Sequence, residues 1–288
     1  MSMHGHPLSL SSPLFIFLTT ISLSHFTHTS HSALESFVYA GCSQLKYTPS
    51  SPYESNVNSI LSSAVNSASL SNFNNFKASL PGSAQNDVVY GLFQCRGDLS
   101  IPDCHSCVVA AISRLGASCV GATGGALQLD GCFVRYDNTS FVGDEDKAVV
   151  SDRCAPPISD GTDLLTRRDA VLTSLAGGGQ FFRVAGSGNV QGVAQCTQDL
   201  SGGECQDCLS EAIQRLKSEC GSSPWGDMFL GKCYARYAER GFTSRSDNND
   251  DEVEKTLAIF IGLIAAVAVL IVFLTFLSRL FEKNKGGK

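Results

Sequence analysis

The chain has 288 residues, of which 43% are hydrophobic, and a formal net charge of −6. This length can hold two modest domains besides targeting segments. The charge is unevenly placed, because residues 35–255 carry 26 acids and 17 bases, whereas residues 279–288 carry four bases and one acid. An acidic main part argues against a nucleic-acid partner, since phosphate backbones require clustered Lys and Arg.

The N-terminal end carries a short apolar run, Leu14–Leu23, followed by small and polar residues. A secretory signal peptide has an apolar region of about 7–15 residues and a small-residue cleavage site. We therefore predict a signal peptide over residues 1–32, with cleavage near Ser32 or Ala33. It departs from the usual pattern in carrying His4 and His6, rather than Lys or Arg, before the apolar run.

The first domain is predicted over residues 34–141. Apolar residues at helical spacing follow Pro52, and a second helical pattern covers residues 104–115. Val88–Cys95 is predicted as a strand, and two further short strands flank Asp130-Gly131, a hairpin signal. These elements predict an α+β unit in which two helices cover an antiparallel sheet.

The twelve cysteines form two matching sets. Each set has the spacing C-x8-C-x2-C-x11-C-x12-C after one earlier cysteine. The sets are Cys42, Cys95, Cys104, Cys107, Cys119 and Cys132, then Cys154, Cys196, Cys205, Cys208, Cys220 and Cys233. The last five positions of the two sets differ by 101, as do Gln94 and Gln195. This pattern indicates an internal duplication, with a linker at 142–147 and a second α+β domain at 148–243.

Three chemistries use cysteines at such spacing. The two C-x-x-C pairs are compatible with zinc binding or with thiol exchange. An even number of cysteines in a chain sent to an oxidising compartment favours structural disulfides instead. We therefore predict three disulfides in each domain and neither a metal nor a cofactor, although six cysteines allow 15 pairings.

The C-terminal part contains a second apolar run. Leu257–Leu277 has no charge and meets the length of about 20 residues that a membrane helix needs. We predict an acidic stalk at 244–255, a transmembrane helix at 256–278 and a cytoplasmic tail at 279–288. The basic flank follows the span, so the domains are expected outside the cell. It also disfavours a cleaved lipid-anchor signal.

The histidines argue against catalysis. Outside the predicted signal peptide only His105 remains, and its repeat counterpart is Gln206. Nucleophilic catalysis needs a positioned general base, and we interpret His105 as an exposed helix residue. Asp98 and Asp199 recur as a carboxylate pair, which we interpret as turn or cap residues. Asn138 begins the one N-glycosylation sequon and is predicted in an exposed loop.

The repeated motif carries a family resemblance. The strings CRGDLSIPDCHSC (95–107) and CTQDLSGGECQDC (196–208) resemble the plant Gnk2-homologous, or DUF26, cysteine-rich secretory domain. The resemblance covers about residues 34–242. Two such domains followed by one predicted span, with no kinase domain, resemble the plasmodesmata-located proteins.

The resemblance implies a disulfide pattern of first with fifth, second with third, and fourth with sixth cysteine. The implied bonds are Cys42–Cys119, Cys95–Cys104 and Cys107–Cys132, then Cys154–Cys220, Cys196–Cys205 and Cys208–Cys233. The family's mannose-binding members use an Asn directly after the first cysteine. Ser43 and Ala155 stand there in this chain, so that ligand set is not carried over.

The resemblance also implies a function. We expect a non-enzymatic type I membrane protein at plasmodesmata that regulates symplastic traffic through callose deposition and defence signalling. Expected partners are receptor kinases, callose-synthesis machinery, viral movement proteins, a second copy of the chain or a wall glycan. The alternatives are a glycan-binding protein or co-receptor of the general cell surface and, less compatible with the histidines, a secreted hydrolase.

Overall fold

The computed structural model describes residues 33–79, 87–158 and 162–241. The predicted signal peptide and everything after residue 241, including the whole predicted stalk, the span and the tail, lie outside these residues. Within the described ranges, no helix is both long and apolar enough to cross a membrane.

The first domain is a five-stranded antiparallel sheet with two helices packed against one face. Its strands are β1 (Phe37–Cys42), β2 (Phe73–Ala78), β3 (Val89–Cys95), β4 (Gly125–Leu129) and β5 (Cys132–Asp137), and its helices are α1 (Pro52–Ala68) and α2 (Ile101–Ser118). The order across the sheet is β1-β4-β5-β3-β2, so that β5 lies in the middle.

The second domain repeats this arrangement. Its strands are β6 (Val149–Cys154), β7 (Phe182–Ser187), β8 (Val190–Cys196), β9 (Trp225–Leu230) and β10 (Cys233–Glu239), and its helices are α3 (Thr162–Ala176) and α4 (Gly202–Glu219). The order β6-β9-β10-β8-β7 matches the first sheet strand for strand. The prediction of two helices on an antiparallel sheet is confirmed for both domains.

Three helices begin at serines that cap their first turns. The side chains of Ser51, Ser100 and Ser201 each accept a hydrogen bond from the backbone N–H three residues later. At Ser201 the side chain of Glu204 in turn accepts a hydrogen bond from the Ser201 N–H, which completes a capping box. Such caps satisfy N–H groups that have no partner inside the helix, so the starts of α2 and α4, which carry the C-x-x-C motifs, are locally determined.

Two equivalent glycines let a helix lie close to each sheet. A Cβ atom on Gly91 of β3 would lie 2.2 Å from Ile60 Cγ2 of α1, and one on Gly192 of β8 would lie 2.5 Å from Val171 Cγ1 of α3. Atoms this close overlap, so any side chain at these positions would push the helix away from the sheet. The same packing therefore requires glycine at the same place in both repeats.

Six disulfides hold the helices to the sheets, and together they include all twelve cysteines. They are Cys42–Cys119, Cys95–Cys104, Cys107–Cys132, Cys154–Cys220, Cys196–Cys205 and Cys208–Cys233. These pairs are the same as those implied by the family resemblance. In each domain one bond joins the first strand to the end of the second helix, and two join that helix to the central strands.

Candidate functional site

The two domains meet through glutamines at equivalent positions of β3 and β8. Gln94 Oε1 accepts a hydrogen bond from the Gln198 N–H (3.1 Å), and Gln195 Oε1 accepts one from the Gly97 N–H (3.2 Å). Because the donors are also 101 residues apart, the two bonds are related by an approximate two-fold axis. The glutamines are 5% and 2% exposed, and buried amides need such partners.

A series of ion pairs with alternating charges crosses the same junction between the domains. Asp130 accepts hydrogen bonds from Arg96 and, across the junction, from Arg236, both at 2.6 Å. Arg236 continues to Asp227 (2.8 Å), which also binds Arg153 (3.2 Å). Burial alone would raise the pKa of Asp130, but the guanidiniums of Arg236 and Arg96 hold that pKa below its ordinary value. Asp130 is therefore charged and links the two sheets.

A buried ion pair ties the linker to the second domain. The Lys232 and Asp199 side chains are in contact, and each is 1% exposed. Lys232 Nζ also donates to the Phe141 carbonyl oxygen (2.8 Å), and the Gly143 N–H donates to Asp199 Oδ2 (2.9 Å). The other carboxylate oxygen, Asp199 Oδ1, has no hydrogen-bond partner in the described part of the chain. Since a buried charge is tolerated only when it is paired, this contact holds the linker in place.

Aromatic rings also pack at the junction. Phe141 is 6% exposed and shares a buried cluster with Leu92 and Phe133 of the first sheet. Its ring centroid lies 4.3 Å from the Arg135 guanidinium carbon, in cation–π geometry.

The second sheet has an open groove on the face that points away from its helices. We call this the sheet-2 groove; it has a volume of about 210 Å³. Its walls include Val193 of β8, Asp227 of β9, Tyr234 and Arg236 of β10, and Arg96 from the first domain. A smaller cavity, of about 30 Å³, lies between the domains beside the paired glutamines.

The structure separates the residues that the sequence singled out. Asp98 binds Arg96 at 2.7 Å and is half exposed, whereas Asp199 lies in a turn but directs its carboxylate into the buried ion pair with Lys232. His105 lies on α2 and is half-buried rather than exposed. Asn138 follows β5 directly and is exposed; its glycosylation stays a prediction.

Sequence reasoning missed the charged residues of the junction, although the repeat contains a signal for them. Asp130 aligns with Gly231, and Gly131 aligns with Lys232. A glycine in one repeat opposite a charge in the other marks a position where the scaffold does not need the charge. Such departures point to contacts between the domains.

Comparisons with known proteins agree with this architecture. The Stress-antifung (salt stress response/antifungal) family model matches residues 41–139 and 157–240. Plasmodesmata-located protein 6 of Arabidopsis thaliana is 55% identical over 95% of this chain and 98% of its own length. Plasmodesmata-located protein 7 of the same plant is 53% identical over 92% of this chain and 89% of its own.

Two crystal structures of tandem DUF26 ectodomains from Arabidopsis thaliana cysteine-rich receptor-like proteins are similar to this fold. That of PDLP5 is 46% identical with a TM-score of 0.67, and it covers 71% of this chain and all of that one. That of PDLP8 is 39% identical with a TM-score of 0.68 and covers 72% of this chain and all of that one. The chain therefore belongs to the plasmodesmata-located protein family, with two tandem Stress-antifung (DUF26) domains.

Proposed function

We propose that this chain is a non-enzymatic, single-pass membrane protein of plasmodesmata that regulates traffic between cells. The observation that carries the proposal is the 55% identity to Plasmodesmata-located protein 6 over 284 residues. An alignment of this length includes both domains and extends beyond them, so the similarity is not limited to the shared cysteine-rich scaffold.

The proposed topology follows from the two ends of the sequence. A signal peptide at 1–32 and a span at 256–278 would put both domains in the apoplast and leave the tail, 279–288, in the cytosol. The acids before the span and the bases after it support this orientation. In this topology we propose that signals pass to the cell through partner proteins.

Recognition rather than catalysis is the proposed role of the ectodomain. All cysteine thiols are used in disulfides. The buried glutamines and the Asp130–Arg236 ion pair join the two domains, and the Lys232–Asp199 pair holds the linker. Such joined domains present one surface to a partner. We propose receptor kinases and callose-synthesis machinery as partners, and callose deposition and defence signalling as the outcome.

A fluorescent fusion of the full chain in leaf epidermis tests the proposal. We expect paired dots across the walls between neighbouring cells, overlapping a callose stain, and altered movement of a diffusible fluorescent protein between cells. A matched fusion truncated after Ser244 should leave the cell surface and lose the dots. Uniform plasma-membrane fluorescence of the full chain would contradict the proposal. Binding to wall polysaccharides in a pull-down would then favour a glycan-binding protein of the general cell surface.

A further inference from the structure

The first domain supplies an acid to the junction at a position where the second domain has none. Asp130 pairs with Arg236 across the junction at 2.6 Å. The repeat counterparts of these two residues are Gly231 and Arg135. A fully two-fold junction would therefore need a carboxylate beside Gly231 to pair with Arg135, and glycine cannot supply one.

A carboxylate does lie beside Gly231, and it comes from the linker. A Cβ atom built on Gly231 would lie within 2.7 Å of all three carboxyl atoms of Asp146. Since the carboxyl carbon of an aspartate is bonded directly to Cβ, the Asp146 carboxylate fills the space in which an aspartate side chain at position 231 would end. Asp146 Oδ2 lies 3.7 Å from Arg135 Nη1, so this carboxylate faces the cation that the two-fold relation indicates.

Backbone hydrogen bonds show which residues correspond at the entry to each sheet. The Asp130 N–H donates to the Ser36 carbonyl oxygen at 2.8 Å, directly before β1. In the second domain the Gly231 N–H donates to the Ala148 carbonyl oxygen at 3.0 Å, directly before β6. Because the two donors are repeat counterparts, Ser36 and Ala148 hold equivalent positions.

Two residues before these acceptors the repeats carry different side chains. The first domain has Leu34 there, and the second has Asp146. The first domain thus has its acid after β4, at Asp130, and an apolar residue before β1. The second has glycine after β9 and its acid before β6. The acid stands at a different place in each repeat, but in both cases it pairs with an arginine of the sheet across the junction.

We propose that Asp146 takes the role of the acid that the second repeat lacks, and so completes a second ion pair between the first sheet and the entry of the second domain. Another carboxylate, that of Asp137, lies 3.9 Å from Arg135, but it belongs to the same strand and cannot join the domains. The Phe141 ring centroid lies 4.3 Å from the same guanidinium carbon. The linker therefore holds Arg135 from both of its ends.

The consequence is that the linker forms part of the junction rather than only connecting the domains. The side chains of Arg135 and Asp146 are 22% and 39% exposed. Partly exposed ion pairs contribute little free energy, so the expected effect on stability is small and local. This inference concerns the folded ectodomain and does not depend on the proposed plasmodesmal role.

Returning the carboxylate to position 231 tests the proposal in the full-length protein. Asp146→Ala should lower the thermal unfolding midpoint by about 1–3 °C, as for loss of a partly exposed ion pair in a protein of this size. Gly231→Asp alone should also lower the midpoint, because the new side chain would overlap Asp146. In Asp146→Ala/Gly231→Asp that overlap is removed and the new carboxylate should pair with Arg135. The double variant should therefore recover at least half of the Asp146→Ala loss.

Two further variants separate charge from the filling of space. Asp146→Ala/Gly231→Asn places an uncharged side chain of the same shape at position 231 and should recover less than the aspartate does. Asp146→Asn keeps an acceptor for the Ala148 N–H, which donates to Asp146 Oδ1 at 3.1 Å, and should still lower the midpoint. Additive losses in the aspartate double variant, or equal recovery by asparagine, would overturn the proposal.

Amide hydrogen exchange distinguishes a local contact from general stability. Asp146→Ala should speed exchange of the Gly231 N–H by at least about threefold, because the segment that carries its acceptor loses a contact with the first sheet. The Asp130 N–H, which is the repeat counterpart, should exchange as in the parent protein. Equal changes at both amides, or no change at Gly231, would overturn the proposal, and this result decides alone if the double variants do not fold.

Discussion

The two domains have the same backbone fold, but they differ in the residues on the sheet face that meets the other domain. The first sheet presents Leu92, Ala126 and Phe133 there, under the linker. The second presents Val193, Asp227 and Tyr234 at the same positions, beside an open groove. Both repeats keep the disulfides and the tight glycines Gly91 and Gly192, which serve folding, and the paired glutamines, which join the domains. The residues that differ between the repeats add the charged contacts of the junction.

The comparison shows how a duplicated unit acquires an interface with a direction. The glutamine bonds are reciprocal, and each domain contributes the same atoms. The ion pairs are not reciprocal, because Asp130 and Lys232 each have glycine as their counterpart. The symmetric glutamine contact therefore positions the two domains. The positions at which the repeats differ add charged contacts, and these contacts distinguish the first domain from the second.

The largest effect is expected from breaking the linker ion pair. Lys232→Met leaves the Asp199 carboxylate buried without its cation, which should cost about 3–5 kcal/mol of unfolding free energy. Chemical denaturation of the secreted ectodomain measures this loss. The double variant Lys232→Met/Asp199→Leu removes both charges and should recover at least half of it. Strictly additive losses would mean that the pair contributes little to the junction.

Removing equivalent disulfides tests whether the two scaffolds are equally dependent on them. Cys107–Cys132 and Cys208–Cys233 both close 25-residue separations. Replacing either pair by serine should therefore cost about 3 kcal/mol, mainly by freeing the unfolded chain. The measurement is the urea midpoint of each variant together with the yield of secreted protein. A much larger loss in one domain would show that it depends on the other for stability.

The series of ion pairs at the junction should make the stability of the protein fall at acidic pH. The depressed pKa of Asp130 stabilises the folded state above the unfolded pKa of about 3.9, and this stability is lost as the pH falls through the folded pKa. Asp130→Asn should lower stability by about 1.5–3 kcal/mol at neutral pH and flatten the loss below pH 4. Asp152→Asn, at an exposed position of β6, is the control. If the loss of stability below pH 4 were the same in Asp130→Asn as in the parent protein, Asp130 would not contribute to the stability of the interface.

The sequence predicts the central elements well because one offset relates them. From β3 in the first repeat and β8 in the second, the two repeats align without gaps. The helices α2 and α4 and the strands beside them can therefore be predicted from the spacing alone. The edge strands β1, β2 and β6 were not predicted. The offset changes before β3, because residues 79–88 join β2 to β3 whereas a two-residue turn, 188–189, joins β7 to β8.

The contacts between the two domains could not be predicted from the sequence, for a different reason. Gln94 and Gln195 recur at the repeat offset, but a recurring glutamine fits a surface as well as an interface. Its role depends on which faces of the two sheets meet, and periodicity within one domain does not specify that. Asp199 shows the same limit, because the sequence predicts its position in a turn while its buried partner Lys232 lies 33 residues later.

The smallest effect is expected at His105, where the repeats differ without consequence for the junction. In the second domain Gln206 accepts a hydrogen bond from Arg183 (3.0 Å) and donates to the Ala176 carbonyl (2.8 Å). His105 occupies the equivalent place on α2 between two disulfide cysteines and is half-buried. His105→Gln should therefore change the unfolding free energy by less than about 0.5 kcal/mol and leave the paired dots of the fluorescent fusion unchanged. If a stably folded His105→Gln protein no longer altered movement between cells, the imidazole would belong to a functional site that its repeat counterpart lacks.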